Sequence, residues 1–205
     1  AQTGSGKTVG FGLAIGHTIL AEGGTFGPAG RPLALVIAPT RELALQVKRE
    51  LQWLYAGAGA TLASCVGGMD FRDERRSLER GAHIVVATPG RLLDFASKGI
   101  VNLGFTEIMV IDEADRMLDM GFREELEAIV EALPEKRRSH LLSATFPAGV
   151  RRLADRFPHD ALPPEGTRRG AANRDTPPLP LAGNPRPPPA RPVHRPLLAT
   201  AGRCP

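Results

Sequence analysis

The chain has 205 residues, of which 42% are hydrophobic and 23% are charged, a composition typical of a soluble globular protein. No apolar run approaches the roughly 20 residues that cross a membrane, and the two cysteines form no CxxC pair, so neither a membrane span nor a zinc or redox site is indicated. The net charge of +4 does not indicate a basic body, because residues 157–205, with seven Arg and three acidic residues, account for all of it. The opening residues Ala1–Thr3 include no initiating Met and no signal-peptide core, so we expect a cytoplasmic protein whose front is truncated.

Short apolar runs alternate along the chain with longer amphipathic segments. The apolar runs are nearly continuous, as expected for strands whose two faces are both covered by helices. We therefore predict a doubly wound α/β domain with a mainly parallel sheet, in which Trp53 lies in the core and the segment Arg72–Arg80 is a solvated helix face. The predicted helices are Lys7–Ala21, Arg41–Tyr55, Phe71–Arg80, Gly90–Ser97 and Glu124–Leu133, and the predicted strands are Leu33–Ala38, Thr61–Val66, His83–Ala87, Glu107–Asp112 and His140–Ala144.

Composition changes abruptly near Phe157. Of the 19 prolines in the chain, 13 lie in residues 157–205, where the apolar residues follow neither a helical nor a strand period. Because proline removes backbone donors and fixes φ, we expect this tail to be disordered. The predicted domain is thus 1–156. Our hypothesis is that the Pro/Arg-rich tail is an out-of-frame translation, and the alternative is a genuine Pro-rich linker or tail.

The chain opens with AQTGSGKT, which matches the phosphate-binding loop with Ala in the place of the usual first Gly. Glycines at this spacing let backbone N–H groups wrap the phosphates of a nucleotide, and the following helix points its positive end at them. Lys7 can reach the β and γ oxygens, and the hydroxyl of Thr8 can bind Mg²⁺. The predicted ATP-binding residues are Thr3, Gly4, Ser5, Gly6, Lys7 and Thr8. The alternative is a flexible Gly-Ser turn followed by a surface lysine.

A second motif, an acidic pair, stands at the end of the strand predicted over Glu107–Asp112. There the apolar run ends in Asp112 and Glu113, an arrangement that holds Mg²⁺ and orients the attacking water in nucleotide hydrolases. Parallel sheets collect ligands at the carboxyl ends of their strands, so this pair and the phosphate loop are expected at one edge. A solvated acidic turn, in which Asp115 caps the next helix, is the alternative.

With these motifs the sequence resembles DEAD-box ATP-dependent RNA helicases of superfamily 2, and in particular their amino-terminal RecA-like P-loop NTPase domain, of bacterial type. Residues 112–115 spell the family name, and further blocks follow in the family's order over roughly residues 1–156. These blocks are PTRELA at 39–44, the glycine pair at 67–68, TPGR at 88–91 and SAT at 143–145.

The resemblance implies roles for these residues. Three of the blocks line an RNA groove in such proteins and contact the sugar-phosphate backbone, which predicts RNA binding without sequence preference. The residues implied are Pro39, Thr40, Arg41, Gly67, Gly68, Thr88, Pro89, Gly90 and Arg91. Asp115, Ser143 and Thr145 are implied to couple ATP hydrolysis to strand opening. Taken singly, each block also fits a structural turn, with Thr40 for example as a helix N-cap.

The resemblance also implies missing parts. The glutamine motif, the strand that leads into the phosphate loop and the second RecA-like domain, which supplies arginine fingers, are not found in this sequence. We therefore expect the chain alone to bind nucleotide weakly and neither to hydrolyse ATP well nor to separate RNA strands. Two other functions stay open: a non-catalytic RNA-binding half-helicase, and another superfamily 2 P-loop ATPase that acts on DNA.

Overall fold

The computed structural model describes residues 6–21 and 23–157, and these residues contain a sheet of five parallel strands. The strands are β1 Ala34–Ile37, β2 Leu62–Cys65, β3 Ile84–Ala87, β4 Ile108–Ile111 and β5 Arg138–Leu141. Their order across the sheet is β2-β3-β1-β4-β5. The predicted doubly wound, parallel α/β fold is confirmed.

Seven α-helices accompany the strands in the described part of the chain. They are α1 Gly6–Ile19, α2 Arg41–Leu54, α3 Phe71–Glu79, α4 Pro89–Ser97, α5 Ala114–Asp119, α6 Arg123–Ala132 and α7 Ala148–Ala154. None of the helices in this part combines the length and apolar character that spanning a bilayer requires.

Side chains along the strands alternate between two apolar layers. In β1, Ala34 and Val36 pack against α1 and α2, whereas Leu35 and Ile37 pack on the opposite face with α4, α5, α6 and α7. The first four strands are buried along their whole length. This arrangement explains the near-continuous apolar runs of the sequence, because both faces of each strand are covered.

The register of the sheet brings all five strand ends into one row. Ile37 pairs with Ala87 on one side and with Ile111 on the other. Cys65 pairs with Ala87, and Leu141 pairs with Ile111. The segment that follows each strand therefore leaves the sheet at the same edge.

Five helices lie within two residues of their predicted bounds, but two further helices were not predicted and one strand was misplaced. The short helices α5 and α7 were not predicted. The last strand spans Arg138–Leu141 and not His140–Ala144. It starts earlier because Arg138 donates its N–H to Glu107 O at 2.8 Å, and it ends earlier because the chain leaves the sheet after Leu142, whose carbonyl accepts from the Ala114 N–H at 3.0 Å. Apolar Leu142 and Ala144 extended the predicted strand beyond the pairing that the neighbour β4 can supply.

The prediction that Trp53 lies in the core is wrong, since its side chain is 73% exposed. Helix α2 buries Ala44, Val47 and Leu51. Residue 53 lies about 200° around the helix from residue 51 and therefore faces solvent. Cys65 is a buried free thiol, and its burial raises the pKa of the thiol.

The predicted tail begins at Phe157, which is 7% exposed and packs in the apolar layer with α6 and α7. The remainder of that prediction, over 158–205, lies outside the described residues, as do Thr3, Gly4 and Ser5 of the phosphate loop.

Candidate functional site

Five of the motifs singled out in the sequence stand at the edge where the strands end. PTRELA follows β1, the glycine pair follows β2, TPGR follows β3, Asp112 and Glu113 follow β4, and SAT follows β5 by one residue. Since the strand ends form one row, five segments that are distant in sequence become neighbours along one edge. Ligands of open parallel sheets bind at this edge.

Helix α1 supplies the nucleotide end of the site. The helix starts at Gly6, so Lys7 and Thr8 lie in its first turn, where free backbone N–H groups and the helix dipole favour an anion. Lys7 is exposed, whereas Thr8 is only 8% exposed. The helix packs on β4, which brings this first turn towards Asp112.

Asp112 is a buried carboxylate that no described residue satisfies fully. The residue is 6% exposed, and its Oδ1 accepts no hydrogen bond within the described ranges. Burial raises the pKa of Asp112, the adjacent Glu113 raises it further, and the ammonium of Lys7 acts in the opposite direction. A buried oxygen of this kind, with the hydroxyl of Thr8 on the facing helix, fits a divalent cation, since Mg²⁺ takes oxygen ligands.

Glu113 has a strained backbone. It is the one non-glycine residue with a positive φ in the described part of the chain, at φ 53° and ψ 51°. A left-handed conformation costs a residue with a Cβ about 1–3 kcal/mol and is found where a site requires it. Arg116 donates to Oε2 of Glu113 at 3.1 Å, which holds the carboxylate beside Asp112 at the end of β4.

Asp115 joins the segment after β4 to the segment after β5. Its Oδ2 accepts hydrogen bonds from the backbone N–H and the hydroxyl of Thr145, at 2.9 and 2.8 Å. Its own N–H donates to the hydroxyl oxygen of Ser143 at 3.1 Å, and that hydroxyl donates to the Thr145 carbonyl at 2.6 Å. We call this set of contacts the Asp115 junction. It places the three residues implied to couple hydrolysis to strand opening in direct contact.

The junction makes the ionisation of Asp115 sensitive to Thr145. Partial burial raises the pKa of Asp115, but the hydrogen bonds of Thr145, Arg116 and Ser143 together outweigh burial and hold the pKa below its ordinary value. A carboxyl whose pKa is lowered in the folded state contributes stability above its unfolded pKa, and loses it as the pH falls through the folded pKa.

We expect Thr145→Val to raise the pKa of Asp115 towards its ordinary value, because the variant removes the hydroxyl that donates at 2.8 Å. The junction then opens at a higher pH during acidification. Carboxyl ¹³C chemical shifts followed against pH measure this change. Thr18→Val, whose hydroxyl is bonded to Ala14 O in α1, serves as the control and leaves the Asp115 midpoint in place. An unchanged midpoint in Thr145→Val contradicts the prediction.

The other three blocks form a second cluster at the same edge. Arg41 donates from Nη1 to Gly68 O at 2.8 Å, and Gly67 donates its N–H to the Thr88 hydroxyl at 3.4 Å. Gly68 has φ +77°, a conformation that favours glycine, and a Cβ on it would lie 3.0 Å from Arg41 Nη1. These contacts bring together the blocks that were predicted to bind RNA.

Several of these predicted residues also have a structural task. Thr40 caps α2, since its hydroxyl oxygen accepts from the N–H of Leu43 at 3.3 Å. Pro39 is buried, and Pro89 is buried at the first position of α4, where its missing N–H costs nothing. Gly90 is exposed beside it, with open space around its Cα.

Glu74 is a central residue of this cluster that the sequence reasoning missed. It is 4% exposed, its Oε1 accepts from the Val66 N–H at 2.7 Å, and its Oε2 accepts from Arg91 Nε at 3.0 Å. The segment Arg72–Arg80 is thus not wholly a solvated face, as was predicted. A signal was present: Glu74 lies three residues after Phe71 and four before Leu78, on the apolar side of α3.

Residues 1–153 match the sequence model of the DEAD/DEAH box helicase family. Among curated proteins, the chain is 42% identical over 164 residues to DEAD-box ATP-dependent RNA helicase 53 of rice, covering 79% of this chain and 26% of the relative. It is 45% identical over 157 residues to the DEAD-box ATP-dependent RNA helicase CshA of Streptococcus pneumoniae, covering 77% of this chain and 29% of the relative. The chain therefore spans less than a third of either relative.

The fold is similar to that of solved structures as well. A DEAD box protein from the hyperthermophile Methanococcus jannaschii matches with a TM-score of 0.69 and 36% sequence identity, covering 79% of this chain and 42% of that protein. A hypothetical ATP-dependent RNA helicase from Sulfolobus tokodaii matches with a TM-score of 0.68 and 37% identity, covering 79% of this chain and 45% of that protein.

Proposed function

Because this chain belongs to the DEAD/DEAH box helicase family, we propose that it supplies the ATP site and one wall of the RNA groove of an ATP-dependent RNA helicase. The observation that supports this proposal is the single row of strand ends, because the five motif blocks that follow the strands lie there at one edge of the sheet. We assign this function to residues 1–156 as the first RecA-like domain, and its cytoplasmic location stays a prediction.

In the proposed ATP site, the first turn of α1 and residues 3–8 bind the phosphates. Lys7 neutralises the β and γ oxygens, and Thr8 with Asp112 would hold Mg²⁺, which withdraws charge from the phosphates. Glu113 would orient the attacking water and accept its proton. The buried, incompletely satisfied Oδ1 of Asp112 supports this role, because cation binding relieves an uncompensated buried charge.

In the proposed RNA groove, the glycine pair after β2 and the start of α4 present backbone N–H groups to phosphates. Arg41 and Arg91 add positive charge beside them. Contacts of this kind do not distinguish bases, so the groove is expected to bind RNA independently of sequence. The names of the matched relatives, which are RNA helicases, support RNA over DNA as the substrate.

The Asp115 junction is proposed to couple the ATP site to the RNA groove. It ties the segment that carries Asp112 and Glu113 to Ser143 and Thr145, so a change at the nucleotide moves the end of β5. We infer a second RecA-like domain as the partner that closes over ATP and RNA. The solved proteins that this chain matches are more than twice as long as the matched region, which agrees with that inference.

Binding of a fluorescent ATP analogue to the 205-residue chain tests the ATP site. Lys7→Ala is expected to weaken binding about ten- to a hundredfold, the loss of one or two charge-assisted hydrogen bonds. Asp112→Asn is expected to remove the Mg²⁺ dependence of binding, whereas Lys136→Ala, at an exposed position, changes neither property. Binding that is insensitive to both Lys7→Ala and Asp112→Asn contradicts the assignment.

The RNA half is tested separately by anisotropy titrations with labelled single-stranded RNA and DNA of one sequence. We expect the logarithm of the RNA binding constant to fall linearly with the logarithm of the salt concentration, as phosphate contacts require. Equal or tighter binding of DNA favours the DNA-acting alternative. Binding of RNA without any binding of nucleotide favours a non-catalytic RNA-binding module.

A further inference from the structure

A buried ion pair lies directly beneath the exposed glycine pair that follows β2. Glu74 is 4% exposed and the side chain of Arg91 is 19% exposed, and they meet at 3.0 Å. The two residues come from α3 and α4, so the pair joins two helices as well as two motif blocks. Neither α3 nor α4 explains by itself why the carboxylate of Glu74 is buried at this position.

The carboxylate of Glu74 fixes the turn at its start. Its Oε1 accepts from the N–H of Val66, the residue immediately before Gly67, at 2.7 Å. Asp70 caps α3 by accepting from the N–H groups of Arg72 and Asp73, so the helix that carries Glu74 is itself anchored at the other end of the turn. The glycine pair is therefore held between a strand end and a capped helix.

Arg91 closes the same turn from the other side. It donates from Nε to Glu74 and from Nη2 to the carbonyl of Met69 at 3.2 Å. Its guanidinium carbon lies 5.2 Å from the ring centre of Phe71 and 4.9 Å from that of Phe95. Of the five N–H groups of a guanidinium, two are thus donated to described residues, and three are left for another acceptor.

Resting on the function proposed above, we propose that Glu74 is a positioning residue of the RNA site. Its carboxylate holds Arg91 and the Gly67–Gly68 turn at a fixed separation, so that the remaining N–H groups of Arg91 and the exposed backbone of the turn meet neighbouring phosphates of one strand. Arg41, which donates to Gly68 O, completes the alignment. RNA then binds to donors that are already ordered, which lowers the entropic cost of binding.

The test is RNA affinity of the 205-residue chain with Glu74→Gln, measured by anisotropy with a short fluorescein-labelled single-stranded RNA over a range of salt. A glutamine keeps the size of the side chain, but its amide can accept from only one of the two donors, Val66 N–H or Arg91 Nε–H. We expect affinity to fall about five- to tenfold at low salt. We also expect the salt slope to fall by about 0.7, as for one lost phosphate contact on a single strand.

Glu79→Gln is the matched control. Glu79 lies on the same helix, and its exposed pair with Arg75 has side-chain exposures of 51% and 55%. The control is expected to leave RNA affinity and salt slope unchanged. Binding of the fluorescent ATP analogue is expected to be unchanged in both variants, since Glu74 lies beside the RNA blocks and not beside α1.

A double-mutant cycle with Arg91→Lys shows whether Glu74 acts through Arg91. A lysine keeps the charge but cannot donate in two fixed directions. If Glu74 works through Arg91, adding Glu74→Gln to Arg91→Lys changes RNA affinity less than about twofold. Independent, multiplying effects overturn the proposal, as does a Glu74→Gln variant that binds RNA like the unmodified chain.

The remaining outcomes are also decisive. If Glu74→Gln does not fold, Arg91→Lys alone is measured, and full RNA affinity with an unchanged salt slope in that variant overturns the proposal. If the unmodified chain binds no RNA, the proposed function fails. If the unmodified chain binds RNA and Glu74→Gln binds RNA as tightly as the Glu79→Gln control does, the proposed function stands and the role of Glu74 does not.

Discussion

Arg91→Met is expected to lower the free energy of unfolding by about 3–5 kcal/mol, because it leaves a buried carboxylate without its positive partner. Glu74 is 4% exposed, and its Oε2 has Arg91 as its partner at 3.0 Å. Methionine preserves the packing of the alkyl chain against Phe71 and Phe95, so the loss reports on the charge and its hydrogen bonds. Urea unfolding followed by circular dichroism measures the change.

Two further variants separate the charge effect from general damage. Glu74→Gln combined with Arg91→Met is expected to be more stable than Arg91→Met alone, because no buried charge is left unpaired. Arg75→Met removes an exposed pair with Glu79 and is expected to cost less than about 1 kcal/mol. A loss in Arg91→Met no larger than that in Arg75→Met shows that the buried pair does not matter for stability.

Gly81→Ala is expected to destabilise the fold by about 3 kcal/mol, because strain and a clash with backbone act together. Gly81, between α3 and β3, has φ +93°, and a Cβ added there would lie 2.6 Å from the carbonyl oxygen of Ala29. The obstacle is backbone and not a flexible side chain. The neighbouring Ala82 donates its N–H to Gly30 O, so the two segments cannot separate without losing a hydrogen bond.

Gly99→Ala is the matched control for Gly81→Ala. Gly99 has φ +68°, but a Cβ on it would meet nothing within 4 Å. Gly99→Ala is therefore expected to lower the free energy of unfolding by about 1 kcal/mol, from the strain of a positive φ alone. Thermal or urea unfolding of both variants gives the difference. An equal loss of unfolding free energy in the two variants shows that the close contact with the carbonyl oxygen of Ala29 does not contribute.

The position of the site could be predicted from the sequence to a large extent. Nearly continuous apolar runs that alternate with amphipathic segments indicate a parallel sheet covered on both faces. In such a sheet the segment after every strand reaches the same edge, so motifs that follow apolar runs are expected together even when they are far apart in the chain. Asp112 and Glu113 after β4 and the block PTRELA after β1 follow this rule.

The errors arose where local pattern and long-range pairing disagree. The apolar residues Leu142 and Ala144 favoured a longer last strand, but pairing with β4 ends at Leu141. Trp53 was placed in the core on account of its spacing along the helix predicted over Arg41–Tyr55, although that helix buries residues 44, 47 and 51 and leaves Trp53 facing solvent. Hydrophobicity alone does not specify which residue of a neighbouring element is available to cover a side chain.

By itself, therefore, the sequence determined the class of fold and the edge at which the motifs lie, because hydrophobic periodicity and the alternation of strands with helices are properties of residues close together in the chain. Only the tertiary structure decided which polar groups pair. Glu74 and Arg91 are 17 residues apart, and Asp115 and Thr145 are 30 apart. Whether a buried carboxylate on an apolar helix face has a hydrogen-bond donor depends on which donor the packed sheet and helices bring next to it. A local sequence pattern does not specify that partner, because the partner is distant in the chain.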